Sequence, residues 1–373
     1  MCQRGENVVR RPNVLVLMCD QMRADALGCN GNPVIRTPNL DYLARTGVNF
    51  PMAYTPNPIC VPARACMTTG SYPHKCTGVK SNSGTILPGF PLMGEEFSRR
   101  GYATYGMGKL HFLPYLGPGE RTTYGIEVTE ITESGRLVSQ YNGAAELEDY
   151  IDYLKTVGWE GYSRGSGLGN NDIFATASPL PKEHYVDGWV TDRSIFYLKK
   201  HLDERPEQPF FMFTSYPKPH SPYDPPRPYD IMYDPRDMPR PAGGIEDIRS
   251  RGLDLFYERH FAYDWCTLSD AAKQVIKAHY YGLISYQDEQ IGRILTFLRS
   301  KGILDEEWPR SYTYDRIEVW KRRSAPSAAK KQSMSSEDSH RAGVKSTKAK
   351  AAGKRIRLSR RRTDTAKKRK RRR

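Results

Sequence analysis

The chain has 373 residues, enough for a large core in one α/β domain or two ordinary ones. Its net charge of +15 resembles that of a nucleic-acid binder, but the charge is not spread evenly. Of 57 Lys+Arg and 42 Asp+Glu, residues 309–373 hold 24 and 5, which leaves a body of 33 basic and 37 acidic residues with a net of −4. Seven cysteines, an odd number with no C-x-x-C pair, argue against both a disulfide framework and a zinc site. Residues 1–7 lack the apolar stretch of a signal peptide, and the run Val14 to Cys19 is far too short to span a membrane. A soluble, cytoplasmic protein with no membrane partner is expected.

In chain order, Asn13 to Met18 is a nearly continuous apolar run, as expected of a central parallel strand buried on both faces. Asp20 follows at its carboxyl end, where open α/β sheets bind ligands. Thr37 to Gly47 reads as a short helix with Pro in its first turn and Gly at its end. A second helix is expected over Gly94–Gly101, leading into a strand from Tyr102 to Gly106. Helix followed by strand is the rhythm of a mostly parallel sheet. Pro209 to Tyr216 is another buried strand, and the proline-rich stretch Pro217–Pro241 is expected to be loop. From Ala271 to Ser300 apolar residues recur at three- and four-residue steps, a long helix that Gly302 stops. Beyond about Glu307 apolar periodicity disappears, and a disordered tail is expected.

The strongest chemical signal is Cys60-Val61-Pro62-Ala63-Arg64. Pro62 in the first turn of a helix closed by Gly70 sets Cys60 at the helix N-terminus, where backbone N–H groups and the dipole favour an anion. Arg64 lies four residues on, on the same face, and its fork of donors suits a sulfate or phosphate oxyanion. Gly108-Lys109-Leu110-His111 places Lys109 and His111 two apart, on one side of an extended backbone. Pro219-His220-Ser221-Pro222-Tyr223 adds another histidine.

Together these segments resemble a type I sulfatase of the alkaline phosphatase superfamily, over roughly Pro12 to Leu304. Cys60 to Arg64 matches C-x-P-x-R, the signature at which sulfatases carry a cysteine oxidised to formylglycine. By average composition, chance would give this motif in such a chain at roughly one in a hundred. Thr37-Pro38-Asn39-Leu40-Asp41-Tyr42-Leu43-Ala44 matches a structural segment of the family, and the G-K-x-H and P-H-x-P-Y segments follow in family order. The resemblance implies an α/β fold, an alkaline-phosphatase-like α/β/α sandwich with a mostly parallel central sheet. It implies a sulfuric ester hydrolase acting on a sulfate-ester small molecule or glycan, and a formylglycine-generating enzyme as partner. A hydroxyl of hydrated, oxidised Cys60 would attack sulfur, and His111 would help the second hydroxyl lose its proton as sulfate leaves. Arg64 and Lys109 would neutralise sulfate oxygens, and His220 would serve the leaving oxygen. The expected metal is Ca²⁺, held by Asp20, Gln21 and modified Cys60, with Gln21 where many members carry a second Asp.

The resemblance lapses near residue 305. In the family a strand and an Asp-His or Asp-Asn pair before Gly complete the metal site, but no such triplet occurs up to Arg373. The expectation is a catalytic portion over 10–305 with the C-terminal part missing, and a basic tail over 306–373 from truncation or a frameshift, with activity impaired by too few metal ligands. Two other readings fit the same residues. One is a phosphodiesterase or phosphonate monoester hydrolase of the same superfamily. The other is an inactive body carrying a nucleic-acid-binding tail, disfavoured because charge runs are usually solvated and this one has few aromatics for stacking.

Overall fold

The computed structural model describes residues 11–76, 82, 86–111, 123–133, 148–169, 171–240, 250 and 268–304. The chain divides into two units, Met1–Lys321 and Arg322–Arg373, and every described residue belongs to the first. The basic tail, residues 306–373, lies outside the described residues.

Four strands, β1 (Val14–Asp20), β2 (Ala103–Gly108), β3 (Val128–Ile131) and β4 (Phe210–Pro219), form a parallel sheet in the order β1-β4-β2-β3. Residues alternate between the faces, as the strand period of two requires. Leu15, Leu17 and Cys19 of β1 join Phe210, Met212 and Tyr216 of β4 in one cluster, while Val14, Val16 and Met18 join Phe211 and Phe213 in the other.

Among the described residues, six helices of seven residues or more flank the sheet: α1 (Pro38–Thr46), α2 (Cys60–Thr69), α3 (Met93–Arg99), α4 (Asp149–Thr156), α5 (Val186–Glu204) and α6 (Asp270–Ser300). Trp189, Val190 and Leu198 of α5 and Ile284, Ile291 and Leu295 of α6 fill the larger cluster. On the opposite face Met67 of α2 and Phe97 of α3 pack on the sheet, with Phe97 stacked on Phe211 at 4.1 Å between ring centres. Helices therefore cover both faces, giving the α/β/α sandwich.

The T-P-N-L-D segment has the structural role expected of it. The Asp288 carboxylate of α6 accepts the backbone N–H groups of Asn39 and Leu40 at the start of α1, and the Asn39 side-chain amide at 2.8 Å. It thus caps α1 from another helix.

Two expectations from sequence need correction. The apolar run of β1 is not central, because among the described residues β1 has one neighbour, β4, and Val14 to Cys19 are only half-buried. The doubly covered central place belongs to β4, buried along its whole length. Nor does β4 end at Tyr216, since its pairing with β1 reaches Pro219 opposite Asp20 across an irregularity in register. A proline at a strand end costs one ladder bond and is tolerated there.

Candidate active site

The predicted site residues gather at the carboxyl ends of β1, β2 and β4. Helix α2 begins at Cys60 and ends at Gly70, whose φ of +65° is the left-handed cap expected of glycine. At its N-terminus the Val61 N–H donates to the Asn82 side chain at 3.1 Å. The Cys60 thiol is half-buried, with Sγ 3.9 Å from Asp20 Oδ1.

Arg64 is buried at 3 % exposure. One guanidinium nitrogen, Nη1, donates to Lys109 O and to Ser215 Oγ at 2.8 Å. Its Nη2 lies 3.6 Å from Asp20 Oδ2, while Nε and Nη2 have no hydrogen-bond partner among the described residues. A buried cation with unmet donors costs on the order of a few kcal/mol unless an acceptor arrives. Lys109, at 1 % exposure, sets Nζ 2.5 Å from Asp20 Oδ2. Burial alone would raise the Asp20 carboxyl, but Lys109, Arg64 and His220 outweigh it and hold the group well below the usual carboxylate range.

The G-K-x-H segment does not continue the strand as predicted. At Gly108 φ is +97°, and a Cβ there would sit 2.1 Å from Ser215 O, so only glycine fits. Lys109 N–H still donates to Ser215 O at 2.8 Å, but His111 turns out with φ +54°. Lys109 and His111 meet at the site because the chain leaves β2 in a tight turn, not because alternate residues of a strand share a side. His111 is held by Glu133: Nδ1 lies 3.0 Å from Oε2, and Oε1 accepts the His111 N–H at 2.8 Å. Burial pushes His111 down to about 4, and Glu133 only partly offsets this, so the neutral imidazole prevails at pH 7. His220 is buried, with Nδ1 2.7 Å from Ser221 O.

An oxygen of Asp20, the sulfur of Cys60 and a ring nitrogen of His111 all lie within 4.8 Å of one another. Among the described residues Asp20 is the one carboxylate there, and it faces Lys109. Gln21 is exposed with φ +63°, and its backbone carbonyl accepts the Tyr280 hydroxyl. One carboxylate, one amide and one side chain at position 60 fall well short of the six to eight oxygens that Ca²⁺ takes. The described residues thus supply part of a hard-metal site and not the whole.

Sequence reasoning missed Glu133, Ser215 and Asn82. Glu133 follows a short strand, Val128-Thr129-Glu130-Ile131, whose mixed composition gives no apolar run to mark it. Ser215 is a small polar residue inside the apolar run of β4, a break in pattern that hints at a buried partner. Asn82 carries no such signal.

A helix N-terminus, two buried cations and two histidines at the carboxyl edge of a parallel α/β sheet define an anion-binding site. Residues 12–308 match the family model described as Sulfatase, and the chain belongs to the sulfatase family. It is 34 % identical over 310 residues to an arylsulfatase of Clostridium perfringens, covering 79 % of this chain and 61 % of that protein. It is 25 % identical over 305 residues to a choline-sulfatase of Rhizobium meliloti, covering 79 % and 56 %. Among solved structures, the phosphonate monoester hydrolase of Agrobacterium radiobacter superposes with a TM-score of 0.63 at 24 % identity, covering 79 % of this chain and 60 % of that one. That likeness shows the shared fold. The chain spans about 60 % of the length of these relatives. Among the described residues no helix is long and apolar enough to cross a membrane.

Proposed function

We propose that the site hydrolyses a sulfate monoester through a nucleophile made from Cys60. The observation that carries this reading is Arg64, buried beside Lys109 with two donor nitrogens that have no hydrogen-bond partner among the described residues. Three unshielded oxygens of a sulfate would meet those donors and the N-terminus of α2. Oxidised to formylglycine, position 60 would supply a hydrated aldehyde, one hydroxyl attacking sulfur and the other serving to release sulfate. The short, half-buried side chain at the N-terminus of α2, 3.9 Å from Asp20, fits that group. A formylglycine-generating enzyme is then a required partner.

The chain's own residues do the rest. Arg64 and Lys109 bind the sulfate oxygens and stabilise charge as the S–O bond breaks. His111, neutral at pH 7, takes a proton at the nucleophile. His220 gives a proton to the leaving alcohol oxygen. Asp20 holds Lys109 in place and offers a hard oxygen to a divalent metal, for which we propose Ca²⁺, with Gln21 as a further ligand. The remaining ligands must come from water, substrate or residues outside those described.

Cys60→Ala, tested on aryl sulfates with the metal-supplemented full chain, removes turnover, whereas retained activity would sink the assignment. The fold shared with a phosphonate monoester hydrolase gives the second reading, hydrolysis of phosphonate or phosphate diesters. The ratio of kcat/KM for aryl sulfate and aryl phosphonate esters decides between them.

A further inference from the structure

His111 holds an unusual backbone conformation at the centre of the site. Its φ of +54° lies in the left-handed region, where a non-glycine residue costs of order 1 kcal/mol or more and persists only when its surroundings fix it. One side chain does most of that fixing. Oε1 of Glu133 accepts both the Leu110 N–H at 3.3 Å and the His111 N–H at 2.8 Å, while Oε2 stands 3.0 Å from the ring at Nδ1. Both side chains are nearly fully buried, His111 at 0 % and Glu133 at 2 %. Glu133 thus grips backbone and ring at once.

Glu133 is itself anchored from behind. Beyond β3, the Thr132 N–H donates to Gly108 O at 3.1 Å, keeping the chain beside the end of β2. Glu133 N–H donates to the buried Glu148 Oε1 at 2.9 Å, and the Thr132 hydroxyl donates to the same oxygen at 3.1 Å. Ile131 N–H donates to Asp149 Oδ2 at 2.6 Å. The start of α4 therefore holds the end of β3, which holds Glu133.

We propose that Glu133 is a positioning residue for the reaction: it fixes the His111 ring with its Nδ1 proton on the carboxylate and turns Nε2 toward the side chain at position 60. A carboxylate at one imidazole nitrogen selects the tautomer whose other nitrogen accepts a proton. The proposal rests on the assignment of His111 as the proton acceptor, but the tautomer can be read without turnover.

The test uses ¹⁵N-histidine spectra of the full chain near neutral pH, with His111→Asn to assign the signal. Wild type shows His111 with the proton on Nδ1. In Glu133→Gln the amide meets Nδ1 with a donor, and the signal moves to the other tautomer or broadens, while the His220 signal stays. With aryl sulfate, Glu133→Gln lowers kcat by about 10- to 100-fold with KM within about twofold, and adds little to the loss in a His111→Asn background. A wild-type His111 protonated on Nε2 overturns the proposal even if the variant fails to fold. An unchanged tautomer and kcat in a folded Glu133→Gln also overturn it. A tautomer change in a chain that turns over no sulfate ester supports the positioning and rejects the sulfatase activity, so the two failures are distinguishable.

Discussion

His111 and His220 occupy matching places after β2 and β4, and both are buried, yet their mounts differ in kind. His111 turns Nδ1 to a carboxylate at 3.0 Å on a strained backbone. His220 turns Nδ1 to a neutral carbonyl, Ser221 O, at 2.7 Å. The loop carrying His220 is braced beside it by a buried pair, Lys218 Nζ and Asp224 Oδ1 at 2.5 Å, and Lys218 also donates to Pro222 O. Both partners accept a hydrogen bond and so keep a proton on Nδ1, but only the carboxylate adds a negative charge that favours the protonated ring. The charged partner suits the His111 ring to taking up a proton beside position 60.

Removing each ring in turn separates the two roles. His111→Ala should lower kcat on all sulfate esters by about 10²- to 10⁴-fold, whatever the alcohol. His220→Ala should cost as much with poorly leaving alcohols and little with nitrophenol-like ones. Rates measured over a series of leaving groups check this, and parallel slopes for the two variants would end the division of labour.

Lys218→Met strands Asp224 in the interior and should lower stability by roughly 3–5 kcal/mol, as the loss of one partner of a buried pair does. Denaturant unfolding measures it, and a small change would mean that the brace under His220 is dispensable. Arg64→Lys keeps the charge but loses the fork that reaches Lys109 O, Ser215 Oγ and the anion together. It should raise the dissociation constant for sulfate by about tenfold or more, read by competitive inhibition.

A separate effect concerns Asp288, which caps α1. Burial pushes its carboxyl up to about 7, backbone donors on Asn39 and Leu40 only partly offsetting this. The folded protein therefore holds a proton there that the unfolded chain releases near the ordinary value of about 4. The contribution is full below about pH 4 and is lost as pH rises to 7, at most about 1.4 kcal/mol per pH unit. Asp288→Asn should flatten that part of the stability profile, measured by thermal melting between pH 4 and 7.

The residue types and order of the site were legible in the sequence, as were the N-terminus of α2, its glycine cap and most helices and strands. Each rests on local rules: proline in a first turn, glycine at positive φ, a carboxylate after an apolar run. Place in the sheet was not legible. The runs in β1 and β4 are both apolar, but only pairing decides that β4 has neighbours on both sides and β1 has one among the described residues. The turn at Gly108 escaped for the same reason, since the close approach of Ser215 O comes from 107 residues away. Sequence by itself determined the chemistry available: a cysteine at a helix start, an arginine one turn on, a lysine and two histidines. Tertiary structure alone decided how that chemistry is aimed. Glu133 on His111, Lys109 on Asp20 and Ser215 on Arg64 join segments 22 to 151 residues apart, and no local pattern encodes contacts set by the packing of a sheet.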